Sequence, residues 1–230
     1  PDNPYHRKPS GNIIANGYRE LRKVWVQLKS TTRLRRFLTA FFMFNMGIQT
    51  VMYLAVTYAK QEVMELNDVG EPVPISDQSL ITSILLIQLL AAVGAYLFVV
   101  LSKRLGNLNA LMVGCTLWIG MCVAAYHVQW ATQFYALACG VGLIMGGSQA
   151  LSRSTYSKFL PETIDHASYF SFYDVSFYLS TVLGTFAYGA VYQITDDLRN
   201  TIVAVGSFFV IGLVLLLRVP KEESPSVQSA

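Results

Sequence analysis

Charge is scarce in this chain. Only 13% of its 230 residues are Asp, Glu, Lys or Arg, against about 25% in an ordinary soluble domain. A soluble core of this length would need a charged surface that the chain cannot supply, so lipid is the expected solvent. The net charge is only +3, and no basic stretch is interleaved with aromatics, which excludes a nucleic-acid partner. Cysteine is also rare. Cys115, Cys122 and Cys139 lie inside apolar runs without metal-ligand spacing, so neither a disulfide framework nor a metal site is indicated. They read as small buried hydrophobes. The three histidines, His6, His127 and His166, fall in the N-terminal tail and at the ends of apolar runs. There is no HExxH, nucleophile elbow, phosphate-cradling loop or paired-carboxylate motif. No enzyme, cofactor or metal is expected.

What is abundant is apolar sequence: 53% of residues, with a mean hydropathy of +0.42. Six runs stand out, at about 37–59, 80–102, 108–128, 133–155, 168–194 and 199–218. Each is about 20 residues or longer, enough to cross a hydrocarbon core of ~30 Å. Basic residues fall in alternate loops. Arg33, Arg35 and Arg36 precede span one, and Lys103 and Arg104 join spans two and three. Arg153 and Lys158 end span four, and Arg218 and Lys221 follow span six. The intervening loops are poor in cations; "KQEVMELNDVGEPVPISDQ" has one Lys and five acids. The positive-inside rule then places both ends of the chain in the cytoplasm, and an inner (plasma) membrane is expected. The chain opens with Pro1 and shows no signal peptide, so a natural N-terminal part is expected before it.

Three regions follow: a cytoplasmic linker over 1–36, a six-span bundle over 37–218 and a disordered tail over 219–230. In the linker, Tyr18, Leu21, Trp25 and Leu28 recur at helical spacing, with Arg19, Arg22, Lys23 and Lys29 on other faces. Such a helix can lie on an anionic membrane surface or pack on the protein. The spans divide into two triplets of opposite direction, as inverted repeats do.

Several polar residues lie where lipid would penalise them. In span one Asn45, Gln49, Tyr53 and Thr57 stand four apart, which predicts one helix face. Such a stripe faces protein or a wet cavity. It is either helix–helix glue or a solute-cavity lining, and Gln88 of span two poses the same choice. Span four carries Ala138, Gly142, Gly146 and Ala150 at every fourth place, a small-residue packing seam. The stretch that follows, "GGSQALSRSTYSKFLPE", brings Gln149 and Arg153 to its end. Asp174 sits several residues into span five, where an unpaired acid costs several kcal/mol. An Arg153–Asp174 pair would satisfy both charges, as a static brace or as a gate.

The strings "GGSQALSRSTYSKFLPE", "ASYFSFYDV" and "GTFAYGAVYQIT" resemble a bacterial branch of the major facilitator superfamily, related to the fungal autophagy-associated vacuolar amino-acid exporters. The resemblance covers residues ~17 to 218. It implies an all-α membrane protein of six transmembrane helices in two inverted three-helix repeats: the C-terminal half of a twelve-helix transporter, whose N-terminal six-helix half is a partner. It also implies a loop motif Gly-x-x-x-Asp-Arg-x-Gly. Here that loop reads "VVLSKRLGN": Arg104 and Gly106 match, while Val99 and Lys103 replace the first Gly and the Asp. The expected function is secondary transport of a small polar solute, amino acids by resemblance, through alternating access. Asn45, Gln49, Tyr53, Thr57 and Gln88 would line the cavity, and Arg153, Asp174 and Gln149 would serve as gate or coupling residues. A non-transporting six-span scaffold is the alternative.

Overall fold

The computed structural model describes residues 13–67, 69–161, 166–196 and 198–220. Among the described residues seven helices follow one another: α1 (Ile13–Ser30), α2 (Thr32–Glu62), α3 (Asp77–Leu105), α4 (Asn107–Tyr126), α5 (Ala131–Phe159), α6 (His166–Thr195) and α7 (Leu198–Leu217). Strands β1 (Met64–Leu66) and β2 (Pro72–Pro74) form an antiparallel hairpin between α2 and α3. Six helices, α2 to α7, are long and apolar enough to cross a membrane. Linker residues 1–12, the Lys29 side chain and tail residues 221–230 lie outside the described residues.

The helix limits follow from local chemistry. Ser76 caps α3 by accepting from the Ser79 amide at 3.2 Å, and Asp77 in its first turn and Lys103 and Arg104 in its last complement the helix dipole. Gly106, at φ +82°, ends α3 and opens α4, a conformation that costs a glycine little. Helix α5 runs on through the polar stretch to Phe159, because its hydroxyls bond back to its own carbonyls: Ser152 Oγ to Ser148 O and Thr155 Oγ1 to Leu151 O, both 2.6 Å. Pro161 follows the stop.

Successive spans alternate in direction and build two layers. The front layer runs α3–α5–α2–α6. Behind it α4 backs α3 and α5, while α7 backs α2 and α6. This pairing is unchanged when α2, α3 and α4 are exchanged with α5, α6 and α7. Since α2 and α5 run in opposite directions, the two triplets are inverted repeats. One detail repeats at backbone level. Gly94, the eighteenth residue of α3, seats on the Leu143 carbonyl of α5; Gly184, the nineteenth of α6, seats on the Met46 carbonyl of α2.

The α3–α5 seam is the tighter of the two. Gly142 faces the Ile87 carbonyl, at 2.6 Å from a hypothetical Cβ, and Gly146 faces that of Ala91. Ala150 does not continue the seam. It is exposed, and Gly147 takes the next place against the Phe98 ring. Each four-residue step overshoots a 3.6-residue turn by about 40°, so a row spaced by four winds off the contact.

The linker helix also differs from expectation. Val24 and Leu28 are buried, whereas Tyr18 and Trp25 are 71% and 54% exposed. Helix α1 packs on the first turns of α6: Trp25 meets the Phe172 ring at 6.1 Å, and Tyr169 Oη donates to Gln27 Oε1 at 2.9 Å. Arg19, Arg22 and Lys23 face solvent.

Hydrogen bonds tie down the described residues of the acidic loop. Asn67 Oδ1 accepts from the Val69 and Glu71 amides, Gly70 turns the chain at φ +85°, and the Met64 amide donates to Gln129 O. Glu65 ties the hairpin to α3 by accepting from Ser79 Oγ at 2.7 Å and from the Ser76 amide at 3.0 Å. The Ser79 bond holds its carboxyl below the ordinary 4.5, so this tie persists above that pH and is lost as pH falls through the lowered value.

Overpacking a tight core typically costs about 1–3 kcal/mol. Gly94→Val and Gly146→Val should therefore lower the thermal midpoint of the detergent-solubilised protein. Gly189→Val, with nothing within 4 Å of its Cβ position, should not. Equal midpoints for all three would show that the backbone seam is not what holds α3 to α5.

Candidate functional site: an open polar face and its ion pair

Helix α2 is flanked by α5 and α6 and backed by α7; α5 is flanked by α3 and α2 and backed by α4. What these two helices expose therefore looks out from the front of the bundle. The polar row of α2 winds around the helix as the α5 seam does. Asn45 is buried, with Nδ2 donating to Ser180 Oγ at 2.6 Å, and bonds α2 to α6. Gln49, half-buried, reaches Asn45 Oδ1 at 3.5 Å, and Thr57 is half-buried. Tyr53 is 56% exposed on the front face. The row is thus oblique: it starts as an interhelical bond and ends on the open side. Gln88 is exposed on α3 and makes no hydrogen bond among the described residues.

The basic end of the same face carries the ion pair. Arg153 lies six residues before the end of α5 and Asp174 eight residues after the start of α6. At ~1.5 Å per residue these are depths of about 9 and 12 Å, so the two meet without bending either helix. Arg153 Nη2 donates to Asp174 Oδ1 at 2.5 Å. Beneath them is an aromatic platform that sequence reasoning missed. The Arg153 guanidinium lies 5.5 Å from the Tyr173 ring, which stacks on Phe41 at 4.6 Å and tilts against Tyr156 at 4.9 Å. Tyr156 Oη donates to Tyr169 O at 2.7 Å, closing α5 onto α6. The available signal was the Tyr three residues after Arg153 and the one before Asp174.

Gln149, Arg153, Ser154, Ser157 and Phe170 line an open pocket of about 570 Å³ beside the pair. Another cavity, about 60 Å³, lies between the layers among Leu54, Trp118, Cys122 and Phe134. It has room for a few waters at most, and its walls are almost wholly apolar, so the open face is the better candidate. In the α3–α4 turn, Lys103 and Arg104 are exposed and form no ion pair among the described residues. Gly106 makes the turn, and Lys103 stands where the superfamily motif has its Asp.

The profile of the vacuole effluxer Atg22-like family matches residues 1–228. The chain belongs to that family. A Bacillus subtilis protein named as an uncharacterized MFS-type transporter, YxiO, is 28% identical over 97% of this chain and 49% of its own length. Autophagy-related protein 22 of Saccharomyces cerevisiae is 24% identical over 91% of the chain and 38% of its own length. That of Vanderwaltozyma polyspora is 25% identical over 80% and 34%. The chain spans about half the length of the bacterial relative and less of the fungal ones. This Atg22-like chain is thus a transporter-related, all-α integral membrane protein of the major facilitator type, and its relatives point to transport rather than catalysis.

With side chains 60% and 46% exposed, the Arg153–Asp174 pair contributes only ~0–1 kcal/mol to this chain by itself. Covered by further protein, removal of one partner would strand a charge at a typical cost of about 3–5 kcal/mol. In the full-length protein Arg153→Gln and Asp174→Asn should each impair activity, and the double variant or the charge swap should recover part of it. Strictly additive losses at equal expression would mean that the pair carries no coupling.

Proposed function

We propose that this chain is the C-terminal six-helix half of a secondary transporter that moves a small polar solute by alternating access. The observation that carries the reading is the open front face, which is bordered by apolar side chains yet carries Gln49, Tyr53, Gln149 and the Arg153–Asp174 pair. Polar groups on a membrane helix face require protein or water beside them. A second six-helix half covering α3 and α6, whose outer faces expose Ile81, Leu85, Leu89, Val182 and Phe186, would enclose them. The relatives' greater length leaves room for such a half.

Solute would bind near mid-membrane. Gln49 and Tyr53 are uncharged donors and acceptors suited to a zwitterionic or neutral polar solute, while Asn45 holds Gln49 in place. Amino acids are the proposed class, in keeping with the name effluxer in the family. The Arg153–Asp174 pair would close the basic end in one state and part in the other. We place that end in the cytoplasm of a cell whose plasma membrane holds the protein, because the cations Arg35, Arg36, Lys103, Arg104, Lys158 and Arg218 gather there.

The test is flux of labelled solutes into proteoliposomes containing the full-length protein. Solute-dependent flux should appear, and Gln49→Leu and Tyr53→Phe should each reduce it about two- to tenfold, as expected for one lost hydrogen bond, at unchanged expression. No flux across a broad panel of amino acids and other small polar solutes would favour a non-transporting scaffold. Normal flux in both variants would reduce the row to interhelical packing.

Orientation has its own test. A cysteine at Val69, in the hairpin, should react with an impermeant thiol reagent added to intact cells. One at Lys103 should react only after the cells are opened. The opposite pattern would invert the topology.

A further inference from the structure

We propose that Gln27 and Tyr169 are positioning residues for the Arg153–Asp174 gate, and that through them the linker helix α1 holds α6 in the closed arrangement. The inference rests on the gate reading given above.

Helix α1 is joined stiffly to the bundle. One residue, Thr31, separates it from α2; its amide donates to Leu28 O at 3.2 Å and its carbonyl accepts from the Arg35 amide at 3.0 Å. From the start of α2, α1 reaches across to the first turns of α6. Trp25 meets the Phe172 ring there, two residues before Asp174. Any motion that carries Asp174 away from α5 must therefore slide or strain the α1–α6 contact.

Tyr169 is where the three helices meet. Its Oη donates to Gln27 Oε1 of α1 at 2.9 Å, and its carbonyl accepts from Tyr156 Oη of α5 at 2.7 Å. A carbonyl has two lone pairs, so it can serve its own helix and Tyr156 at once. Tyr156 in turn packs on Tyr173 at 4.9 Å, and Tyr173 lies under the Arg153 guanidinium. Phe170, next to Tyr169, meets the Tyr156 ring at 5.9 Å and lines the pocket beside the pair. A chain of contacts thus runs from Gln27 to the gate. Tyr169, Tyr156 and Tyr173 are all buried, and a closely packed interior transmits displacement. The ion pair is exposed and holds itself only weakly, so its closed state depends on what fixes the helices beneath it.

The test uses the full-length protein in a background free of other cysteines. Ser154→Cys places a thiol in the pocket beside the pair. Its rate of reaction with an impermeant thiol reagent, in opened membranes, reports how often the gate parts. Tyr169→Phe and Gln27→Leu should each raise that rate about two- to tenfold, as expected for one lost hydrogen bond. Gln27→Glu keeps the acceptor and should stay at the parent rate, as should Arg22→Gln on the exposed side of α1. Asp174→Asn should raise the rate directly, and adding Tyr169→Phe to it should have less effect than Tyr169→Phe alone, because the two act through one contact. A lower thermal midpoint with an unchanged rate in Tyr169→Phe and Gln27→Leu would make the tie a structural brace and overturn the proposal. An equal rise in Arg22→Gln would trace the effect to a general loosening of α1 and overturn it too. In both of those cases a raised rate in Asp174→Asn would leave the gate itself standing. An unchanged rate in Asp174→Asn would instead overturn the gate, and the positioning role with it.

Discussion

The fold depends on backbone meeting backbone. In lipid, side chains gain nothing from leaving the solvent for one another, so helices associate by close packing and by polar contacts. The α3–α5 seam supplies the closest packing, where Gly142, Gly146 and Gly94 let the two main chains approach without Cβ atoms between them. The α2–α6 contact is its inverted counterpart, through Gly184, and is helped by the Asn45–Ser180 bond. Once these two pairs are locked, α2 and α5 lie side by side in the centre of one layer, and α4 and α7 can only fill in behind.

That arrangement decides where polarity is tolerated. The hydroxyls of Ser152, Thr155 and Thr50 are silenced by bonds to their own helix's backbone carbonyls. Amides and charges are not, and they gather either between helices or on the front of the layer. The ion pair is instructive. Arg153 and Asp174 sit on an aromatic platform of Tyr173, Tyr156 and Phe41 that is rigid and buried, while the charges themselves stay exposed. A firm base beneath a weakly held pair suits the gate proposed for it. At the basic end, Lys158 of α5 reaches Asn107 at the start of α4. At the other end a hydrogen-bonded hairpin closes the loop, with Glu65 as its clasp.

The sequence determined much of this by itself. Six runs of membrane length, the alternation of cation-rich and cation-poor loops and the small residues of span four rest on local composition and short-range periodicity. Lipid enforces both strictly, because an unsatisfied backbone or charge has no water to turn to. The tertiary structure decided the rest, for two physical reasons. Rows spaced by four drift about 40° per turn on a 3.6-residue helix, so only the packed neighbours reveal that Asn45 points inward, Tyr53 outward, and Ala150 off the seam. Contacts between distant segments also leave no periodic trace: the choice of Val24 over Trp25 as the buried side of α1, the tyrosines under the ion pair, and the meeting of Lys158 with the start of α4 all depend on which helices the glycines had already brought together.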